Sequence, residues 1–282
     1  MIKRTSLISL LALMGLWVAP PAAMAQALVP YVLPLDFEQL EEQGLVLAQE
    51  AAQLAQFQQY EQALRRAQLA AQLVPDNSSI LALLGSLYLQ LDQVEPAITA
   101  LEQANDLAPN DAAVLFALGT AHFRQEQYLQ SVSYLEAGLR IEADNAGAYF
   151  DLGNAYFKLR RYKEAIEQYE ASLELDSEFW PSLNNIGLVL YEQGETEAAL
   201  ERWQATLEQV PEEPEPKLAI AVSRYASGER REAIQLGIEA LEQDGRYADL
   251  DFLEENLWGA RLLAATESFF QAPVVRSLIA QL

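Results

Sequence analysis

Histidine and cysteine, on which nucleophilic and metal chemistry most often draw, are nearly missing from this chain. It has one histidine, His122, and no cysteine, which leaves no thiol nucleophile, thiolate metal ligand or disulfide. With 41 acidic residues, chance pairs of carboxylates are inevitable, so pairing alone identifies no acid–base couple. No glycine-rich phosphate loop, G-x-S-x-G elbow, kinase signature or calcium loop occurs in the sequence. The chain offers recognition chemistry instead. Leu89, Phe123, Phe157, Tyr191 and Tyr225 recur every 34 residues, Phe116, Phe150 and Asn184 keep the same interval, and Asn154 lies among them. Rings supply buried area and amides can bond a peptide backbone. Such a set suits binding rather than turnover, and the chain reads as a non-enzyme without cofactor or metal.

A regular scaffold must place those residues, and its beat is visible. Ala51, Gly85, Gly119, Gly153, Gly187 and Ala221 stand 34 residues apart. They divide the chain into blocks 44–77, 78–111, 112–145, 146–179, 180–213 and 214–247, with the small residue at block position 8. Position 20 holds Ala63, Ala97, Ser131, Ala165, Ala199 and Ala233, and position 27 holds Ala70, Ala104, Gly138, Ser172, Thr206 and Ala240. Within block four, Tyr149, Leu152, Gly153 and Tyr156 fall on one helical face, and Ala165, Ile166, Tyr169, Ser172 and Leu173 on another. Each block therefore reads as two short helices that approach closely where side chains are small.

This pattern resembles the tetratricopeptide repeat (TPR) over 44–247. The resemblance implies an all-α, right-handed superhelical solenoid of six helix-turn-helix repeats whose first helices line a concave groove. Positions 2, 5, 9 and 12 would face that groove. Candidate groove residues are thus Leu89, Phe116, Phe123, Phe150, Asn154, Phe157, Asn184, Tyr191 and Tyr225. The alternative is that these rings mostly pack on neighbouring helices. His122, at the position of Tyr88 and Tyr156, reads as a packed core residue.

Block boundaries carry stop signals. Pro75, Pro109 and Pro211 end helices, while Asn77 and Asp111 offer oxygens to the free amides of the next helix. The beat weakens at the ends: Glu50 and Leu54 depart from it in block one, and Lys217, Arg224 and Gly237 in block six. Terminal repeats are often atypical because one face meets solvent or a cap. Asp36 reads as a helix cap, with Gln39 completing a capping-box-like pair, and that helix continues through Gly44.

The two flanks differ in character. Lys3-Arg4, the apolar run Leu7–Val18 and Ala23-Met24-Ala25 form an export signal over 1–25, with cleavage after Ala25 or retention as a membrane anchor as the two outcomes. Either places the repeats in a periplasm or thylakoid lumen. Residues 26–43 link the signal to the repeats and begin the first helix. Residues 248–282 form a C-terminal helical segment, with Asp249–Phe270 reading as one helix and Val274–Leu282 as a short final one. It is expected either to cap the last hairpin or to dock a partner through exposed Trp258, Phe269 and Phe270.

A net charge of −23 excludes nucleic acid and direct docking of the repeats on anionic lipid. It reads either as a solvated outer face or as an acidic binding surface. The TPR clamp for heat-shock-protein carboxylates needs cations at positions 2, 5, 6 and 9. Blocks two and three offer Ser79, Ala82, Leu83 and Ser86, then Ala113, Phe116, Ala117 and Thr120 there, so no such clamp is expected. Residues 43–60 and 247–266, with Asp249-Leu250-Asp251-Phe252 and Glu255-Asn256-Leu257-Trp258-Gly259, are similar to a group of TPR proteins of cyanobacteria and plastids. That group includes a partner of protochlorophyllide oxidoreductase at thylakoid membranes, and the resemblance implies an assembly or stabilising role beside a photosynthetic membrane complex. The competing expectation is a structural spacer that docks through its C-terminal helix and outer faces.

Overall fold

The computed structural model describes residues 36–282; the expected export signal over 1–25 and the apolar stretch that follows it lie outside the described residues. Among the described residues the secondary structure is helical throughout. Six hairpins follow in order: α1 (Phe37–Gln56) with α2 (Tyr60–Leu73), α3 (Ser78–Gln90) with α4 (Val94–Leu107), α5 (Ala112–Arg124) with α6 (Tyr128–Leu139), α7 (Ala146–Lys158) with α8 (Tyr162–Leu175), α9 (Trp180–Gln193) with α10 (Thr196–Gln209), and α11 (Pro214–Ala226) with α12 (Arg230–Gln243). Helix α1 runs unbroken through Gly44, whose backbone sits against Leu73 and Val74. Asn77, Asp111 and Asn145 each accept a backbone N–H from the first turn that follows, at 2.9–3.1 Å for the shortest bonds.

The small residues at position 8 work as sockets. Gly85 receives Leu101, Gly119 receives Leu135, Gly153 receives Tyr169 and Gly187 receives Trp203, each side chain coming from the second helix of the same hairpin. The occupant grows from leucine to tryptophan along the chain, and Trp203 is fully buried with Nε1 donating to Asn184 O at 3.2 Å. A Cβ on Gly119 would fall 2.5 Å from Leu135 Cγ. Gly119→Leu is therefore expected to cost roughly 1–3 kcal/mol by over-packing. A thermal melt checks this, and an unchanged midpoint would exclude close helix contact there.

The turns inside the hairpins repeat as faithfully as the sockets. Gln58, Asp92, Glu126, Arg160, Gly194 and Gly228 all occupy the left-handed region, with φ between 55° and 99°. The next residue's N–H reaches back five residues in each case, as in Gln93 N to Tyr88 O at 2.8 Å and Arg161 N to Tyr156 O at 2.9 Å. This is a Schellman closure, and it satisfies carbonyls the helix end would leave open.

After α12 the pattern changes. A 3-10 turn (Gly245–Ala248) leads to α13 (Leu250–Glu255), α14 (Ala260–Phe270) and α15 (Pro273–Ile279). The sequence expectation of one helix from Asp249 to Phe270 is corrected: the chain breaks at 256–259. Leu257 takes φ 68°, and the Gly259 backbone presses against the Glu192 side chain, where no Cβ fits. Trp258, Phe269 and Phe270 are buried, so they are not exposed docking anchors.

Candidate binding groove

First helices touch their successors, α3 on α5, α5 on α7 and α7 on α9, whereas successive second helices make no comparable contact among the described residues. The first helices therefore lie on the inner side of the stack. Along this face the expected residues appear in two different settings.

Over hairpins two to four the face is open. Phe123 is half-buried, with its ring 5.4 Å from Tyr128, and Phe116 rests on Gly138. Phe150 sits between Tyr169 and Phe179 at 5.9 and 5.4 Å. Leu89 and Phe157 are buried, the latter beside Tyr162. Asn154 Oδ1 accepts from Tyr169 Oη at 2.8 Å and from Asn185 Nδ2 at 3.0 Å, so its amide is partly committed to the scaffold. Thr120 donates to Asp151 at 2.9 Å, and burial holds the Asp151 carboxyl above its ordinary range despite that bond. Most of these rings thus pack on neighbours while still edging the face. His122 is buried and stacked on Tyr134 at 5.1 Å, with Nδ1 2.7 Å from Gln127 Oε1.

Over hairpins five and six the face is covered by the chain itself. Helix α14 packs along α11 and α9, and α15 on α12. Asn184 and Tyr191 are consequently buried. Trp258 Nε1 donates to Glu215 Oε1 at 3.1 Å. Glu192 takes the first backbone N–H groups of α14, from Arg261 at 3.1 Å and Leu262 at 3.0 Å, a carboxylate at a helix start. The Arg261 guanidinium lies 4.9 Å from the Tyr191 ring centre and donates to Tyr191 O at 2.9 Å. Phe269 fills the space at Gly237 and meets Tyr225 edge-on at 5.4 Å.

Sequence reasoning did not place Glu192, Glu215 or Arg261 at the site. One signal was available. Position 24 holds Ala67, Leu101, Leu135, Tyr169 and Trp203, then Gly237, and a glycine in a packed slot leaves room that another side chain must fill.

Where the open and covered halves meet there is a cleft of about 1200 Å³. Phe123, Tyr128, Phe157 and Tyr162 provide its aromatic wall, and α13 with the start of α14 provides the opposite one. Its acids are Asp92, Glu126, Glu192, Asp251, Glu254 and Glu255, against the cations Arg124, Lys158 and Arg160. Two of those cations are engaged at home, Arg124 with Leu89 O at 2.6 Å and Lys158 with Glu254 O at 3.2 Å.

The chain matches family models of the tetratricopeptide repeat over residues 54–119, 146–179 and 184–248. Similar solved structures include MamA of Desulfovibrio magneticus RS-1, at 20% identity over 60% of this chain and 96% of that one, with a TM-score of 0.56. YrrB, described as a TPR protein with an unusual peptide-binding site, shares 18% over 72% of this chain and 97% of its own, with a TM-score of 0.52. The Pseudomonas aeruginosa pilF protein shares 17% over 77% and 98%, with a TM-score of 0.62. These identities speak for the fold alone. No curated protein matches the chain.

Proposed function

The chain belongs to the tetratricopeptide repeat family, and we propose that it is a non-enzymatic adaptor whose open groove over hairpins two to four captures a segment of a protein partner. One observation carries this reading: the same inner face already holds a helix of its own chain, α14, through ring, guanidinium and carboxylate contacts. A face that seats one helix on α9 and α11 has the chemistry to seat another polypeptide on α3, α5 and α7. The peptide-binding site named for YrrB supports the mode for this fold. We further propose that the protein acts after export, in a periplasm or thylakoid lumen, and assists assembly of a membrane complex, in line with the resemblance to the cyanobacterial and plastid group.

The test adds neutral bulk without touching the core. Ser86, Ala113 and Gly147 are exposed on first helices, at groove positions 9, 2 and 2. The triple variant Ser86→Gln, Ala113→Gln, Gly147→Gln is expected to reduce crosslinked capture of the partner from the native membrane fraction by about tenfold or more. Capture at the wild-type level by the folded variant would instead favour the spacer. Sequencing the mature N-terminus decides between cleavage and anchoring.

A further inference from the structure

The carbonyl at position 12 recurs as a seat for arginine. In hairpin five, Tyr191 O accepts Arg261 Nη1 at 2.9 Å while the Tyr191 ring faces the guanidinium. In hairpin two, Leu89 O accepts Arg124 Nη1 at 2.6 Å, with Asp92 3.6 Å from the same nitrogen. Both carbonyls also close their turns, accepting from Gly194 N and Asp92 N, so the arginine is an added donor at a helix C-terminus, where positive charge is favoured. Hairpins three and four present the same arrangement at Phe123 and Phe157, whose carbonyls accept Glu126 N at 2.9 Å and Arg160 N at 2.8 Å. Among the described residues no side chain bonds either one. Both residues line the cleft.

Lys158 and Arg160 line the cleft near these two seats, and with Arg124 they face six acids, so the surroundings carry a net negative charge. Glu126 stands beside the first, and Glu254 and Glu255 face across from α13. The side chains of these three acids are engaged in no ion pair among the described residues. Tyr128 and Tyr162 offer ring faces, and elsewhere this chain places arginine over aromatic rings at 4.4–5.2 Å, at Tyr156, Tyr225, Phe252 and Tyr191. The cleft's 1200 Å³ exceeds the roughly 300–1,000 Å³ of small-molecule pockets. A polypeptide is the better fit, and the cleft is continuous with the face that α14 already occupies.

We propose that the cleft binds an arginine-bearing segment of the partner protein, with guanidinium groups on the carbonyls of Phe123 and Phe157 and charge supplied by Glu126, Glu254 and Glu255. This rests on the groove reading above and specifies its ligand. The probe is a fluorescent twelve-residue peptide of leucine and arginine, compared with two peptides in which citrulline or glutamate replaces every arginine. The arginine peptide is expected to bind at least tenfold more tightly than either control. Glu126→Gln with Glu254→Gln and Glu255→Gln should weaken it tenfold or more. Glu170→Gln with Glu174→Gln and Glu201→Gln, on the exposed faces of α8 and α10, should change it less than twofold. Equal binding of the citrulline peptide, equal weakening by both sets of substitutions, or no binding of the arginine peptide would each overturn the proposal. The groove reading fails separately, through partner capture that survives Ser86→Gln, Ala113→Gln, Gly147→Gln.

Discussion

Phe269→Ala is expected to lower the stability of the C-terminal hairpins by about 3–5 kcal/mol, the usual cost of truncating a fully buried ring, and Gly237→Leu is expected to restore much of it. Phe269 is fully buried and occupies the position-24 slot that Leu101, Leu135, Tyr169 and Trp203 fill from within their own hairpins. In the native chain Gly237→Leu is itself destabilising, because a Cβ there collides with the Phe269 ring and comes within 3.3 Å of Ala221 Cβ. Once the ring is gone, a leucine can fill the slot as Leu101 and Leu135 do. The effect of Gly237→Leu should therefore change sign between the two backgrounds, a coupling that a double-mutant cycle isolates. Urea unfolding gives the energies. Hydrogen exchange in α11 and α12 gives the location, since repeat stability is largely a sum of local terms. The same cost for Gly237→Leu in both backgrounds would mean that Phe269 does not occupy that slot.

That slot also marks the limit of what the sequence makes legible. The hairpins were readable because the small residues at positions 8, 20 and 27 return every 34 residues, and in four blocks the position-8 glycine and the side chain that fills it, such as Gly119 and Leu135, lie within one block. The caps at Asn77 and Asp111 were readable because a cap acts on its next three residues. The covered half of the groove was not, because its contacts span long separations without a period: Glu215 with Trp258, Glu192 with Leu262, Gly237 with Phe269. Helical pattern alone ran Asp249–Phe270 together, although the break is a local turn of the kind used inside the repeats: Leu257 takes φ 68°, Trp258 N bonds Leu253 O at 3.0 Å, and Gly259 starts α14. Asn184 and Tyr191 sat at the expected groove positions, yet what covers them is α14 and its flanks, a segment with no repeat register.

Glu215 makes the hold on that covering segment depend on pH. Burial pushes its carboxyl up to about 7, against hydrogen bonds from Trp258 and Asn184 that favour the charged form and with Glu213 raising it further. In the unfolded chain the same carboxyl titrates near 4.5. The folded state thus binds the extra proton between those values, so stability is full below about pH 4.5, falls as pH rises through 7, and levels off above. A shift of this size corresponds to roughly 3–4 kcal/mol at 1.36 kcal/mol per unit. Asp151 and Glu213 are raised by burial as well and add to the slope in the same sense, whereas Asp244, lowered first by Arg246, opposes it at the surface. Glu215→Gln keeps an acceptor for Trp258 Nε1 and removes the titration. Urea midpoints measured from pH 5 to pH 8 should fall steeply for the native chain and much less for Glu215→Gln, with the difference concentrated in α11 and α14. Parallel curves for the two proteins would show that Glu215 does not carry the dependence. A steeper fall in the variant would show that the carboxylate, not the acid, is the form that holds Trp258.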